Sequence, residues 1–241
     1  MLHPRLVSDE PAARVAVSPQ RIFDVCVASI ALVLLSPVML LIAVAVWLET
    51  GRPIFFAQNR IGQHGRPFLM YKFRKFGAAC GVSGSPLTRP NDDRLTSVGR
   101  ILALTKADEL PQFYNVLIGD MSIVGPRPES LAFEDCFQRG FDRLLEYRPG
   151  LFGPAQIMFR HEQRFIPPGV DLIEFYRTVL FPLKATIDLD YFTHRSFAGD
   201  LVWIVRGVFA VIGVAPAMER DLLTSDRMRG LSPRELDGVE P

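Results

Sequence analysis

Residues 25–48 read VCVASIALVLLSPVMLLIAVAVWL, an apolar run of 24 residues interrupted only by Ser29, Ser36 and Pro37. As a straight helix this run would be roughly 36 Å long, enough to cross a hydrocarbon core of about 30 Å. No other segment of the sequence is both as long and as apolar. The run therefore predicts a membrane element at residues 20–50.

Three arrangements of the run are open. A single spanning helix is the simplest, whereas a secretory signal is disfavoured because the run is too long and begins beyond residue 21. The third is a re-entrant hairpin that enters and leaves the membrane on the same side. Pro37 leaves the carbonyl of Val33 without its helical donor and divides the run into two arms. Each arm is roughly 16 Å long and therefore too short to span the membrane. The Ser36 hydroxyl could form hydrogen bonds with backbone groups at such a bend. Basic residues flank the run on both sides, so the charge distribution does not favour moving either end across the membrane.

The charges are unevenly distributed, although the formal net charge is only +1. Residues 49–106 contain ten Lys and Arg against three acids, whereas residues 1–48 are neutral and residues 107–241 contain fourteen against twenty. A basic segment of this kind attracts phosphates, nucleic acid or an anionic lipid surface. No helix-turn-helix or zinc-finger pattern accompanies it, so a phosphate compound at a membrane is favoured over nucleic acid.

The remaining sequence predicts an α+β, mostly helical domain at residues 51–216 between flexible polar tails at 1–19 and 217–241. The segments PIFFAQ and RPFLMYKFRKF have the composition of strands, and Gly62 and Gly65 lie between them, so a small β-hairpin is expected.

Several further elements are predicted around this hairpin. Residues 77–91 read as a loop, and residues 130–145 as a helix. The apolar segment 201–213 is too short to span and contains Arg206, so it belongs to the core or, preferably, to an amphipathic helix in the membrane interface.

Residues 108–129 read DELPQFYNVLIGDMSIVGPRPE. Apolar residues recur at helical spacing over 109–118, which predicts a helix capped by Asp108 and stopped by Gly119. A carboxylate at the positive end of a helix is ordinary capping chemistry, but the same helix end also attracts phosphate. Nucleotide-binding glycine loops of the dinucleotide or P-loop type do not occur in the sequence, and the four histidines show no zinc-site spacing.

Taken in order, these motifs resemble those of the bacterial sugar transferases, also called monotopic phosphoglycosyl transferases. The resemblance runs from about Arg21 to Val214. It rests on the following motifs: RIFD at the entry of the apolar run, Ser36-Pro37, PIFFAQNRIGQHGRPF, YKFR at 71–74, DDRLT at 92–96, the block at 108–129, RPGLFGPAQ at 148–156 and DLDYFTHRSFAGDL. It implies a monotopic protein on the cytoplasmic face of the bacterial inner membrane, inserted by a re-entrant helix bent at Ser36 and Pro37.

The resemblance also implies a reaction. Asp108 would attack the β-phosphorus of a nucleotide diphosphate sugar, release the nucleoside monophosphate, and form a sugar-phosphoryl aspartate that polyprenyl phosphate then attacks. Attack by an anion on a diphosphate requires Mg²⁺ and cationic groups to neutralise the oxygens. Asp108 and Glu109 are the expected metal ligands, and Glu109 could alternatively handle a proton.

Other residues of the matching motifs are candidates for phosphate binding. Arg127 is held between two prolines, which fix its backbone and lower the entropic cost of a bidentate contact, although a rigid turn with a solvated arginine would look the same. The remaining candidates are Arg148, Lys72, Arg74, Lys106 and Gln112, of which Lys72 and Arg74 could equally hold lipid headgroups. Alternatively, Lys72, Arg74 and Lys75 could form the solvated face of a strand.

Two positions depart from the family pattern. Ala103 stands where an arginine is common, a charge that Lys106 or Arg100 could replace, and Pro154 stands where a tryptophan is common, which leaves the sugar and nucleotide preference open. An inactive membrane scaffold of the same fold is therefore the alternative hypothesis. The expected partners are a nucleotide diphosphate sugar, polyprenyl phosphate and membrane lipids, with a homodimer as one candidate oligomeric state. The chain is expected to be the catalytic part alone.

Overall fold

A computed structural model describes residues 18–77, 92–160, 162–167 and 169–211 of the chain. Most of the two predicted tails and of the predicted loop lies outside these residues. The structure is mostly helical and contains a small β-hairpin, as the sequence predicts.

The long helix α1 covers Pro19–Thr50 and contains the whole apolar run. It begins at an N-cap, because the Ser18 side chain accepts a hydrogen bond from the Arg21 N–H and Pro19 occupies the first turn, where no N–H partner is needed. Within the described residues, it is the one helix long and apolar enough to cross a membrane.

The helix remains continuous through Pro37. The Ser36 hydroxyl donates to the carbonyl of Val33 at 2.8 Å. That carbonyl is the one that Pro37 deprives of a donor, so the predicted role of Ser36 is confirmed. The prediction of two separate arms is wrong as a description of secondary structure, because this hydroxyl replaces the missing N–H and the two halves form one helix.

Both ends of α1 are attached to the same globular body. Near the first end, Asp24 accepts hydrogen bonds from the Ser122 hydroxyl at 3.1 Å and from the Ile123 N–H at 2.9 Å. At the other end, Glu49 accepts from the Ser97 N–H at 2.8 Å and from the Val98 N–H. Many apolar side chains between these contacts remain exposed, including Val33, Leu34, Leu40, Leu41 and Leu48.

The predicted β-hairpin is confirmed. Strand β1, Phe55–Ile61, pairs antiparallel with strand β2, Pro67–Phe73. The connection contains a short 3₁₀ turn at Gln63–Gly65, and Gly65 has a φ of 73°, a conformation that glycine adopts without strain. The hairpin carries Lys72 toward the centre of the molecule.

Helix α2 covers Ser97–Thr105 and helix α3 covers Gln112–Ile118. Gly119 ends α3 with a φ of 102°, as predicted. The helix starts later than expected and Asp108 is not its N-cap, because Pro111 has no N–H to donate to the carbonyl of Ala107. That carbonyl instead accepts from the Leu110 N–H at 3.3 Å, which closes a separate 3₁₀ turn at Ala107–Glu109.

The helix predicted over 130–145 is also wrong. The chain forms two 3₁₀ segments there, Leu131–Cys136 and Phe141–Glu146. Between them, Arg139 and Gly140 have positive φ values of 55° and 96°. Two successive left-handed residues interrupt a right-handed helix.

The remaining elements surround a core rich in aromatic residues. Strands β3, Ser122–Val124, and β4, Gly150–Phe152, form a short parallel pair that the sequence did not predict. Helix α4, Pro154–Met158, follows β4, and a further 3₁₀ turn covers Glu162–Phe165. Helix α5, Leu172–Phe175, continues through a π-helical turn into helix α6, Phe181–Thr193.

Helix α7, Phe197–Val211, contains most of the apolar segment that was assigned to the core or the interface. One face is buried at Gly207 and Ala210. The opposite face exposes Leu201, Val202, Val205, Val208 and Phe209. The helix therefore packs on the core with one side and leaves an apolar surface on the other, as an interface helix would.

Candidate active site

The Asp-Glu pair lies in the turn between α2 and α3. Lys106 ends α2 in a left-handed conformation with a φ of 59°, and the 3₁₀ turn at Ala107–Glu109 follows directly. This reversal directs the two adjacent carboxylates to different partners, both of which come from the end of the β-hairpin.

Asp108 is almost completely buried, with 1% of its surface exposed. The Lys75 ammonium lies 3.1 Å from its Oδ2 atom. This contact is an ion pair without hydrogen-bond alignment, and both carboxylate oxygens lack a hydrogen-bond partner among the described residues. A buried carboxylate with two free oxygens is an unusual feature, since such groups are nearly always hydrogen-bonded.

Glu109 is held more tightly. The Lys72 ammonium donates to its Oε1 atom at 2.7 Å. Burial alone would raise the pKa of Glu109. The cations Lys72, Arg127 and Lys106 outweigh this effect and hold the pKa well below its ordinary value. Burial lowers the pKa of Lys72 to about 8, against the opposing influence of Glu109 and Asp108. Glu109 is therefore an ionised carboxylate surrounded by positive charge.

A cavity of about 340 Å³ opens beside the Asp-Glu turn. Ala107 and Glu109 line it, whereas Asp108 between them does not. Its charged and polar wall consists of Lys106, Glu109, Arg127, Gln156, Arg160, Glu162 and Lys184. The Asp108 side chain thus faces Lys75 behind the wall rather than the cavity.

Arg127, between Pro126 and Pro128, belongs to this wall. Burial would lower its pKa, but Glu109, Glu162 and Glu129 raise the pKa of the guanidinium above its ordinary value. The guanidinium is therefore permanently charged and held among carboxylates. This environment fits the predicted role of Arg127 as a phosphate-binding residue at the cavity.

A buried charged cluster supports Arg127 from behind. Lys184 on α6 contacts Glu162 at 3.0 Å and the Tyr176 hydroxyl at 3.1 Å, and it lies 3.9 Å from Glu129. One turn along the same helix, Asp188 accepts a hydrogen bond from the Ala155 N–H at 2.9 Å and also faces the backbone N–H of Arg127. Burial raises the pKa of Asp188 to about 7.

The structure brings some of the predicted site residues together and separates others. Lys72, Lys106, Asp108, Glu109 and Arg127 lie at or beside the cavity. Lys106 thereby supplies a cation next to the Asp-Glu pair, while Arg100 is exposed on α2. A positive charge is therefore present near the position where Ala103 departs from the family pattern.

Three predicted residues have other surroundings. Arg74 donates to the carbonyls of Thr50 and Gly51 at 2.7 and 2.8 Å and so binds the end of α1. Arg148 lies near Arg21 and Asp24, beside the first part of α1. Gln112 is buried, and its amide nitrogen is without a hydrogen-bond partner among the described residues. The phosphate-binding role predicted for these three stays a prediction.

Sequence reasoning missed Lys75, Glu162 and Lys184 as parts of the site. Lys72, Arg74 and Lys75 belong to one basic stretch, of which the matching motif indicated Lys72 and Arg74. Strand β2 ends at Phe73, however, and the turned backbone brings Lys75 rather than Arg74 to the carboxylates. For Glu162 and Lys184 a single sequence carries no comparable signal.

Asp108 and Glu109 are the residues that would hold the predicted Mg²⁺, which stays a prediction. The ion commonly binds through one or two carboxylates together with substrate phosphates and water. Asp108 offers two oxygens without hydrogen bonds, and Glu109 is ionised next to it. Across the described ranges, however, no group of three or more His, Cys, Asp and Glu side chains forms an all-protein cage. The residues present fit a metal shared with the substrate.

Comparison with known proteins gives the family of the chain. A family model described as bacterial sugar transferase matches residues 15–214. A UDP-glucose:undecaprenyl-phosphate glucose-1-phosphate transferase of Caulobacter vibrioides is 38% identical over 207 residues, which cover 82% of this chain and 72% of the relative. An uncharacterised sugar transferase of Bacillus subtilis is 33% identical over 211 residues, covering 88% of this chain and 96% of the relative.

Some relatives are much longer. A UDP-N-acetylgalactosamine-undecaprenyl-phosphate N-acetylgalactosaminephosphotransferase of Aeromonas hydrophila is 42% identical over 142 residues, 58% of this chain but 34% of the relative. The chain thus spans about a third of that relative and most of the other two. Because the family match extends from before α1 to beyond α7 and includes the whole candidate site, this chain belongs to the bacterial sugar transferase family.

Proposed function

We propose that this protein transfers a sugar 1-phosphate from a nucleotide diphosphate sugar to polyprenyl phosphate, the first step in assembling a glycan on a lipid carrier. A UDP-sugar is the expected donor and undecaprenyl phosphate the expected acceptor, by analogy with the relatives' names. The observation that carries the proposal is the Asp108-Glu109 pair, of which Asp108 is buried and Glu109 partly exposed, held by Lys72 and Lys75 beside a cavity that contains Arg127.

The reaction has two displacements at one phosphorus atom. In the first, a carboxylate oxygen of Asp108 attacks the β-phosphorus, the bond from this phosphorus to the bridging oxygen breaks, and the electron pair leaves with the nucleoside monophosphate. In the second, an oxygen of polyprenyl phosphate attacks the sugar-phosphoryl aspartate and the bond to Asp108 breaks. The carboxylate is regenerated, and no group is oxidised or reduced.

Asp108 has to turn before it can attack. Its carboxylate faces Lys75 and does not line the cavity, whereas its two neighbours do. A diphosphate entering the cavity brings negative charge that competes with Asp108 for the Lys75 ammonium. Since the flexible side chain of a lysine can follow the diphosphate, donor binding would free the nucleophile.

The cations near Glu109 would stabilise the negative charge that accumulates on the phosphate oxygens during transfer. Lys72, Lys106 and Arg127 surround Glu109, and Lys106 and Arg127 also line the space that a diphosphate would occupy. Mg²⁺ held by Asp108 and Glu109 would neutralise diphosphate oxygens and lower the repulsion toward the attacking carboxylate. Within this arrangement Glu109 stays ionised and keeps Lys72 and Arg127 oriented.

We further propose that α1 enters and leaves the membrane on one side, with the globular body on the cytoplasmic face. The support is that Asp24 and Glu49, near opposite ends of α1, both bind backbone groups of the same body. A helix of 32 residues spans roughly 48 Å when straight, so its ends would lie on opposite sides of a membrane that it crossed. A bend at Pro37 inside the bilayer allows both contacts at once.

Topology is tested by labelling single cysteines that replace Ser18 and Arg52, in a variant without native cysteines. Both replacements should react with an impermeant maleimide only after the cytoplasmic side is opened. Modification of the two positions from opposite sides would establish a span and refute re-entry.

The activity is tested with the full chain in detergent, a panel of nucleotide diphosphate sugars, Mg²⁺ and undecaprenyl phosphate. Release of nucleoside monophosphate should depend on Asp108, and Asp108→Asn should abolish it. Full turnover by that variant would remove the proposed nucleophile. If the wild-type protein releases no monophosphate from any donor, the scaffold hypothesis takes its place.

A further inference from the structure

The residues that line the cavity beside Glu109 fall into two chemically different sets, which we call its charged half and its apolar half. One half carries the charged groups Lys106, Glu109, Arg127, Arg160, Glu162 and Lys184. The other half is apolar and is formed mainly by Phe113, Leu151, Phe152, Gly207 and Ala210. A ligand that fills both halves must itself have a charged end and an apolar end.

The apolar half lies against α7, whose outer face is exposed. Gly207 and Ala210 point inward, whereas Val205 and Val208 on the other face are 53% and 48% exposed. Single exposed apolar residues are normal on a soluble surface, but a continuous apolar helix face is typical of a membrane-interface helix. The wall of the cavity is therefore one helix thick at the surface expected to meet lipid.

Another part of the wall also belongs to a helix with exposed apolar side chains. Thr105 and Lys106, at the end of α2, line the cavity, and α2 exposes Ile101 and Leu104 at 62% and 75%. Helix α2 also packs against the membrane helix, since Leu102 and Val46 belong to one buried cluster. The cavity is thus lined in part by two helices, α2 and α7, that both expose apolar side chains.

The charged half favours an anionic head group. Four cationic side chains, Lys106, Arg127, Arg160 and Lys184, face two carboxylates, Glu109 and Glu162, so positive charge is in excess. A phosphomonoester with a charge near −2 complements that excess. A nucleobase fits the apolar half poorly, because its carbonyl and N–H groups would lose their hydrogen bonds to water against an apolar wall.

From this arrangement we infer that the apolar half, between Phe113 and Phe152 on one side and Gly207 and Ala210 on the other, is the seat of the first isoprenoid units of the acceptor. Its phosphate would lie at Lys106 and Arg127, and the remaining chain would stay in the lipid. A volume of about 340 Å³ is at the small end for ligand pockets, so the head and first units enter and the rest does not. The inference rests on the proposed function.

Residue size at the inner face of α7 maintains the space. A side chain at Gly207 would collide with the ring of Phe152. Ala210 is 6% exposed and presents a single methyl group to the cavity. Ala210→Phe should fill the apolar half without touching the Asp-Glu turn. Val208→Phe places the same ring on the exposed face of the same helix and is the matched control.

The two displacements allow the acceptor to be tested apart from the donor. The full-length wild-type protein and both variants are given a UDP-sugar and Mg²⁺ without acceptor, and the first turnover of monophosphate release is measured. Undecaprenyl phosphate is then varied in the complete reaction. For Ala210→Phe we expect an unchanged first turnover and a KM for undecaprenyl phosphate at least about tenfold higher, a change that corresponds to the burial of roughly two methylene groups. Val208→Phe should match the wild type in both.

A slowed first turnover in Ala210→Phe, with an unchanged acceptor KM, would show that the apolar half holds the donor and would overturn the inference. Should Ala210→Phe fail to fold, the wild-type protein decides the matter by photo-crosslinking with a farnesyl phosphate that carries a diazirine near its phosphate. Label in α3 or α7 supports the inference, and label confined to α1 overturns it. Crosslinking needs no turnover. It therefore tests acceptor binding in the cavity even if no donor is consumed and the proposed function itself fails.

Discussion

The Lys72 ammonium should set the upper pH limit of the reaction. It lies 2.7 Å from Glu109, and burial lowers its pKa to about 8. If the charged form holds Glu109 and meets the diphosphate, kcat/KM for the donor should be constant below about pH 8 and fall above it. At pH 9 about one tenth of Lys72 would remain protonated, so kcat/KM should be about tenfold below its plateau.

Lys72→Arg is the decisive variant. A guanidinium stays protonated throughout this range, so the fall above pH 8 should disappear even if the plateau is lower. In the wild type, the decline in kcat should occur at a higher pH than the decline in kcat/KM, because a bound diphosphate stabilises the ammonium.

The assay is monophosphate release measured from neutral to alkaline pH. Lys106→Arg is the control, because burial also lowers the pKa of Lys106 beside the same carboxylate. A fall near pH 8 that survives in Lys72→Arg but disappears in Lys106→Arg would refute the assignment to Lys72 and give it to Lys106.

Asp188, Arg127 and Ser36 offer three further tests. The pKa of Asp188 is about 7 in the fold against an ordinary 3.8, so its contribution to stability is full at low pH and is lost as the pH rises to about 7. Asp188→Asn should therefore raise the free energy of unfolding above pH 7 by up to about 4 kcal/mol and leave it unchanged below about pH 4. An equal increase in the free energy of unfolding in the two pH ranges would contradict this. Arg127→Lys should lower kcat/KM for the donor by about 10- to 100-fold through loss of the planar fork, with an unchanged melting temperature; full activity would exclude a bidentate contact. Ser36→Ala leaves the Val33 carbonyl without a donor and should destabilise α1 in detergent by about 1 kcal/mol, whereas Ser29→Ala should not.

Local patterns in the sequence predicted the elements that depend on local chemistry. The β-hairpin followed from two aromatic strands separated by Gly62 and Gly65, and both strands formed where expected. The pairing of Ser36 with the Val33 carbonyl followed from the missing N–H of proline alone. These features could be predicted because their causes lie within a few residues of one another.

Other local predictions failed because a single residue outweighed the apolar spacing. Pro111 falls within the helical pattern of 109–118, yet its missing N–H separates the Asp-Glu turn from α3. Arg139 and Gly140 likewise interrupt 130–145, and a positive φ at an arginine has no signature in the sequence. The position of Asp108 one turn before the helix, rather than at its cap, follows from the first of these effects.

The charged surroundings of the site depend on tertiary contacts. Glu162 and Lys184 reach Arg127 from segments far along the chain, and a single sequence does not show which distant charges meet. Even the nearby choice between Arg74 and Lys75 depended on where β2 ends. Motif resemblance found the carboxylates, Arg127 and Lys72, whereas Lys75, Glu162 and Lys184 came only from the fold.

Burial of the carboxylates links donor binding to attack. Removing Asp108 from water is costly, and the Lys75 ammonium at 3.1 Å offsets part of that cost without providing an aligned hydrogen bond. A diphosphate that draws Lys75 away leaves the carboxylate buried and uncompensated, which raises its free energy at the moment when an electrophilic phosphorus is within reach. An ammonium shared between two anions compensates Asp108 less than it does in the empty cavity. Under the proposed mechanism, Asp108 is therefore protected while the cavity is empty and becomes reactive because the donor has bound.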